Sequence, residues 1–133
     1  MQACYRGDRI FDTDETKAIV AYWIGFYKKY RTILNADLIH VKRADMQGLD
    51  AFMHATYKGK IRGLAMVFNP TSEPIEDVLE LPLYYTGLSK RALVSLEGME
   101  TTSETYILSR DYKIEIGLRL EPKAHTWFVI SEP

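Results

Sequence analysis

Apolar side chains fall into two different rhythms along this chain. Near the start, Ile19, Trp23, Phe26, Tyr27, Tyr30 and Leu34 recur at spacings of three and four, the period that gathers side chains on one face of an α-helix. Asp12 is the expected N-cap, with Glu15 three residues later completing a capping box. Asp14 and Glu15 suit the positive end of the helix dipole, and Lys28, Lys29 and Arg31 suit the other. Val20, Tyr22 and Ile33 widen the apolar arc beyond the roughly 100° that a helix on one body needs. This helix is therefore expected to face two partners.

From Asp37 onward the period changes to two, with β-branched and aromatic enrichment and turn punctuation. The pattern predicts strands at Leu38 to Arg43, Leu49 to Tyr57, Ile61 to Phe68, Ile75 to Leu81, Ala92 to Glu97, Glu104 to Leu108, Tyr112 to Leu120 and Thr126 to Ile130. Lys58-Gly59 suits a hairpin turn, while Asn69 to Pro74 and Glu121 to Ala124 cannot continue a strand. Leu64 to Phe68 and Trp127 to Ile130 are apolar on both faces, which predicts central strands. The stretch from Tyr112 to Leu120 alternates with Lys113, Glu115, Gly117 and Arg119, which predicts a half-exposed one. With no crossover helix between strands, the expected fold is mainly β. It is an antiparallel two-sheet β-sandwich of about eight strands, preceded by one amphipathic α-helix. Residues 1–36 form the loop and helix, and residues 37–133 the sandwich.

Size and composition narrow the picture. A chain of 133 residues is one domain by size, and 47% apolar with 26% charged residues excludes wholesale disorder. Seventeen basic against 18 acidic side chains remove the electrostatic footprint of a dedicated nucleic-acid binder. The longest apolar run, Ala18 to Tyr27, is half of the roughly 20 residues a membrane span needs, so no membrane partner is expected. The acidic residues before that run are unlike a secretory leader, and the compartment stays open. A single cysteine, Cys4, cannot form an internal disulfide.

Common catalytic signatures for nucleophiles, nucleotides and zinc are absent from the sequence. His40, His54 and His125 fall on three separate predicted strands without metal-type spacing, so neither a metal nor a cofactor is expected. Asp12, Asp14, Glu15, Glu73, Glu76, Asp77, Glu115 and Glu121 all have capping, turn or solvent-facing positions that account for them without catalysis. Nine tyrosines are the remaining signal. Tyr84 and Tyr85, set between Pro82 and Gly87, form the best exposed pair and a candidate surface for stacking on a sugar ring.

Several segments together carry a resemblance. Tyr27-Lys28-Lys29-Tyr30-Arg31 and Leu34 to Ile39, then Gly63 to Thr71, Leu120-Glu121-Pro122 and Trp127 to Ile130, resemble the end of bacterial glycoside hydrolases of the α-galactosidase-like type. In that family the last barrel helix leads into a C-terminal antiparallel sandwich. The resemblance implies that residues up to Leu34 continue a (β/α)8 barrel, that the catalytic carboxylates lie on an upstream part of a longer, exported or periplasmic polypeptide, and that no catalytic residue maps onto this chain. It also implies that Arg6, Asp8 and Arg9 sit near the rim of the parent's substrate site. Ile19, Trp23, Phe26 and Tyr30 would then form a barrel-facing strip, exposed in an isolated chain or covered by a second copy. The first functional reading is a non-catalytic sandwich domain that braces such a barrel. The alternatives are a carbohydrate-binding module using exposed aromatics and, last, a small standalone hydrolase. The expected partners are the barrel and a carbohydrate.

Overall fold

The computed structural model describes residues 11–133. Its helix, α1 (Asp14–Leu34), starts at a cap other than Asp12. Thr13 is extended at φ −131° and ψ 161°, and its Oγ1 accepts a hydrogen bond from the Thr16 amide at 3.1 Å. A hydroxyl within reach of the third helical amide satisfies a donor that the helix cannot, and this leaves Asp14 and Glu15 in the first turn, where the dipole favours them.

Eight strands follow: β1 (Asp37–Lys42), β2 (Asp50–Ala55), β3 (Ile61–Phe68), β4 (Ile75–Pro82), β5 (Arg91–Leu96), β6 (Ser103–Ile107), β7 (Lys113–Leu120) and β8 (His125–Ser131). All pairings are antiparallel. Six strands make one sheet in the order β1-β2-β3-β8-β5-β6, and β4 pairs with β7 in a second. The result is a sandwich of very unequal sheets. β3 and β8 are central, as their two-sided apolar character requires, and β7 buries Ile114, Ile116 and Leu120 while its intervening residues face water.

Two cores lie on opposite faces of the large sheet. On one, Ala51, Met53, Val67, Val94, Phe128 and Ile130 meet Leu79, Leu81, Ile114 and Ile116 from the small sheet. On the other, Leu64, Met66, Trp127 and Val129 meet Tyr30 and Ile33 of α1, with Trp23, Phe26 and Leu34 packed alongside. The order of layers is thus helix, large sheet, small sheet.

A buried amide ties the loops at one end. Asn69 is 1% exposed. Its Nδ2 donates to the carbonyls of Glu73 (2.7 Å), Leu120 (3.1 Å) and Glu121 (3.1 Å), and its Oδ1 accepts from the Thr71 amide (2.9 Å) and hydroxyl (2.7 Å). The β3–β4 connection and the end of β7 are joined by this one side chain, which leaves none of its own polar atoms unpaired.

Candidate functional site

The helix settles where its apolar stripe points. Tyr30 is 4% exposed, and Trp23 and Phe26 lie half-buried against the sheet, with their rings edge-on to Trp127 at centroid distances of 6.3 and 5.2 Å. The expected exposed strip along Ile19, Trp23, Phe26 and Tyr30 therefore holds only at Ile19. The reason is geometric. Residues at that spacing share one helix face, and this face covers the apolar centre of the chain's own sheet.

What stays open is the sheet on either side of the helix. Cross-strand register places Ile107 opposite Arg91 and Thr105 opposite Leu93, on the face away from Ala92 and Val94, which belong to the other core. Ile107 is 81% exposed there. At the opposite flank Leu38 pairs with His54 on the same face and is also exposed. Ile107 and Leu38 are thus single exposed apolar side chains at the two flanks, beside Arg91 and Thr105 on one and His54 on the other, and Tyr22 and Ile24 are exposed on the helix.

The second candidate surface lies at one end of the sandwich, where three connections meet. Tyr84 and Tyr85 form a single 3₁₀ turn, Tyr84–Thr86, closed by Gly87 in the left-handed region at φ 73°. The turn is held from beneath by buried Leu83, Thr86 and Leu88. The Thr86 hydroxyl donates to the Leu83 carbonyl at 2.6 Å and accepts from the Leu88 amide at 3.2 Å. Both tyrosines are consequently pushed outward, 65% and 57% exposed, on a rigid support. Their rings meet edge to face at 5.3 Å and 89°, and Tyr112 meets Tyr84 at 5.6 Å and 79°. Tyr57, also exposed, lies against Gly87, where a Cβ would come within 3.2 Å of the Tyr57 Cβ.

Tyr112 and Tyr57 were hidden by their own pattern. Tyr112 continues the alternation of β7, and Tyr57 extends that of β2. In the structure β7 begins at Lys113 and β2 ends at Ala55, which leaves both tyrosines in turns. Tyr112 sits at φ 59°, a conformation costly for a bulky side chain. It is held by hydrogen bonds from its amide to the Ser109 carbonyl (3.1 Å) and from the Leu83 amide to its own carbonyl (2.7 Å).

Among the titratable groups, pairs across strands dominate. The Lys42 ammonium donates to Asp77, joining the two sheets at their edges, and holds the Asp77 carboxyl below the usual carboxylate range. Lys113 pairs with Glu80 at 2.7 Å, which raises the lysine above its ordinary value. Burial, followed by the hydrogen bond to Glu104, pushes the Tyr106 hydroxyl up. Glu80 and Glu115 are register partners on the outward face of the small sheet, a flat exposed surface. Of the histidines, His54 Nδ1 lies 3.4 Å from the Ala36 carbonyl and His125 rests beside Trp23. Among the described residues no group of three His, Cys, Asp or Glu side chains gathers as a metal site, and no helix is long and apolar enough to cross a membrane. Cys4, Arg6, Asp8 and Arg9 lie outside the described residues.

No protein-family model matches the chain, and no curated protein does. Among solved structures, a putative alpha-N-acetylgalactosaminidase from Bacillus halodurans is similar over 72% of this chain, with 14% sequence identity and a TM-score of 0.48. The matching part amounts to 21% of that protein's own length.

Proposed function

We propose that this chain is the accessory sandwich domain of a larger glycoside-hydrolase-type polypeptide, docked against the catalytic barrel by the helix-bearing face of its large sheet. The observation that carries the reading is Ile107, 81% exposed on that face, with Leu38 exposed at the opposite flank. Large apolar side chains left in water at both flanks of a half-covered sheet are what a second body would bury. The wide apolar arc of α1 agrees with this, since Tyr22 and Ile24 remain outward after the main stripe has been used on the sheet. The resemblance of Tyr27 to Arg31 and of Gly63 to Thr71 to the barrel-to-sandwich junction supports the choice of partner. In this role the domain contributes rigidity: a six-stranded sheet with cores on both faces is a stiff plate against which a barrel helix and its loops hold position.

The test compares Ile107→Lys and Leu38→Lys in the isolated chain and in the complete product of the gene. In the isolated chain each changes stability by less than about 0.5 kcal/mol, because the side chain is already in water. In the longer polypeptide each lowers the melting temperature of the barrel–sandwich unit. Equal effects in both, or a gene whose product is this chain alone, would refute the reading.

A further inference from the structure

We infer that the tyrosine end of the sandwich is a binding site for an acidic glycan, a chain of pyranose rings bearing carboxylates. Tyr84, Tyr85 and Tyr112 offer ring faces to solvent from turns whose backbones are already fixed. Exposed rigid aromatics of this kind give contact area at little conformational cost, and a tyrosine adds a hydroxyl that can bond to a sugar hydroxyl beside the C–H face it covers. The rings stand at 89° and 79° to one another. They form a corner that receives one pyranose ring, with no parallel pair between which consecutive nucleobases could stack.

Charge selects among glycans. The three connections at this end, 56–60, 83–90 and 108–112, carry Lys58, Lys60, Lys90 and Arg110 against a single carboxylate, Asp111. None of these four cations is in an ion pair among the described residues. The connections at the opposite end carry Asp45, Glu73, Glu97, Glu100 and Glu121 against Arg43 and Lys123. A protein of near-zero net charge has therefore placed its surplus of cations around the tyrosines, which fits an anionic ligand there.

Tyr112 completes the cluster: its turn backbone, at φ 59°, is fixed by hydrogen bonds, and its ring packs edge to face on the neighbouring exposed Tyr84. This surface is distinct from the helix-bearing face, so the site and the docking reading stand or fall separately.

The test titrates the full chain with an oligogalacturonate, a neutral galacto-oligosaccharide of equal length and an oligothymidylate, following tyrosine ring signals by NMR. The site predicts saturable shifts at Tyr84, Tyr85 and Tyr112 with the acidic oligomer, and binding that weakens as salt rises. Tyr85→Ala and Tyr112→Gly should each weaken it at least tenfold. Tyr112→Gly separates function from folding, because glycine suits the turn and leaves the melting temperature within a few degrees of the parent. No shift at millimolar acidic oligomer, equal binding of the neutral one, stronger binding of the oligothymidylate, or unchanged binding by Tyr112→Gly would each overturn the proposal.

Discussion

Replacing Asn69 by aspartate changes almost nothing in shape and reverses the chemistry of the loop junction. The side chain is 1% exposed, and its amide nitrogen donates to three carbonyls at 2.7 to 3.1 Å. In Asn69→Asp an oxygen takes the place of that nitrogen and faces the same three acceptors. An ionised carboxylate there is a buried charge with no donor on that side, which costs about 3–5 kcal/mol at neutral pH by analogy with a buried ion pair deprived of one partner. Protonation restores one donor, and the loss then falls to about 1–2 kcal/mol. The folded state holds the proton more tightly than the unfolded chain, whose aspartate titrates near 3.9. The variant's deficit is therefore smallest below about pH 4 and grows as pH rises through the elevated folded value, whereas the parent amide does not titrate. Urea unfolding of both proteins at pH 4.5 and pH 7, followed by circular dichroism, reads the difference directly. A variant within 1 kcal/mol of the parent at pH 7, or a gap that narrows as pH rises, would refute the assignment of Asn69 as the donor that joins the loops.

Gly98 sits at φ 67°, and a Cβ there would overlap the Tyr30 hydroxyl. Gly98→Ala should therefore destabilise by about 2–3 kcal/mol, and adding Tyr30→Phe should recover about 1 kcal/mol in a double-mutant thermal melt. Thr86→Val keeps the volume and removes both hydroxyl hydrogen bonds beneath the tyrosine turn, for a loss of about 1–2 kcal/mol in urea unfolding. Asp77 has its carboxyl lowered by Lys42, so its contribution is present above the unfolded aspartate value and is lost as pH falls through the lowered folded value. Both partners are partly exposed, so Asp77→Asn should cost only about 0.5 kcal/mol at pH 7. Melts repeated at pH 3 should show a smaller difference between variant and parent than at pH 7.

How much of this was legible depends on the range of the interactions involved. The eight strands and the helix could be read because period and turn residues are local: Gly59 and the Pro70 to Pro74 stretch mark their ends without reference to anything distant. Centrality of β3 and β8 was equally readable, since a strand apolar on both faces has both faces covered. The division into six and two strands was not, because it rests on β8, last in the chain, inserting between β3 and β5. The helix shows the same limit. Its stripe was plain from spacing, but whether Trp23, Phe26 and Tyr30 meet this sheet or another body depends on a surface that only folding assembles. Tyr84 and Tyr85 were visible as exposed because Pro82 and Gly87 flank them. Tyr112 was lost to the alternation it happens to continue, and its strained backbone has no signature in the sequence.

The central claim, that the helix-bearing face of the large sheet is a docking face, is tested most directly by side-chain footprinting. Carbene labelling of Ile19, Tyr22, Leu38 and Ile107 would be compared between the isolated chain and the complete gene product. The account predicts heavy labelling of all four in the isolated chain and shielding of Leu38, Ile107 and Tyr22 in the longer polypeptide. Equal labelling in both would contradict it.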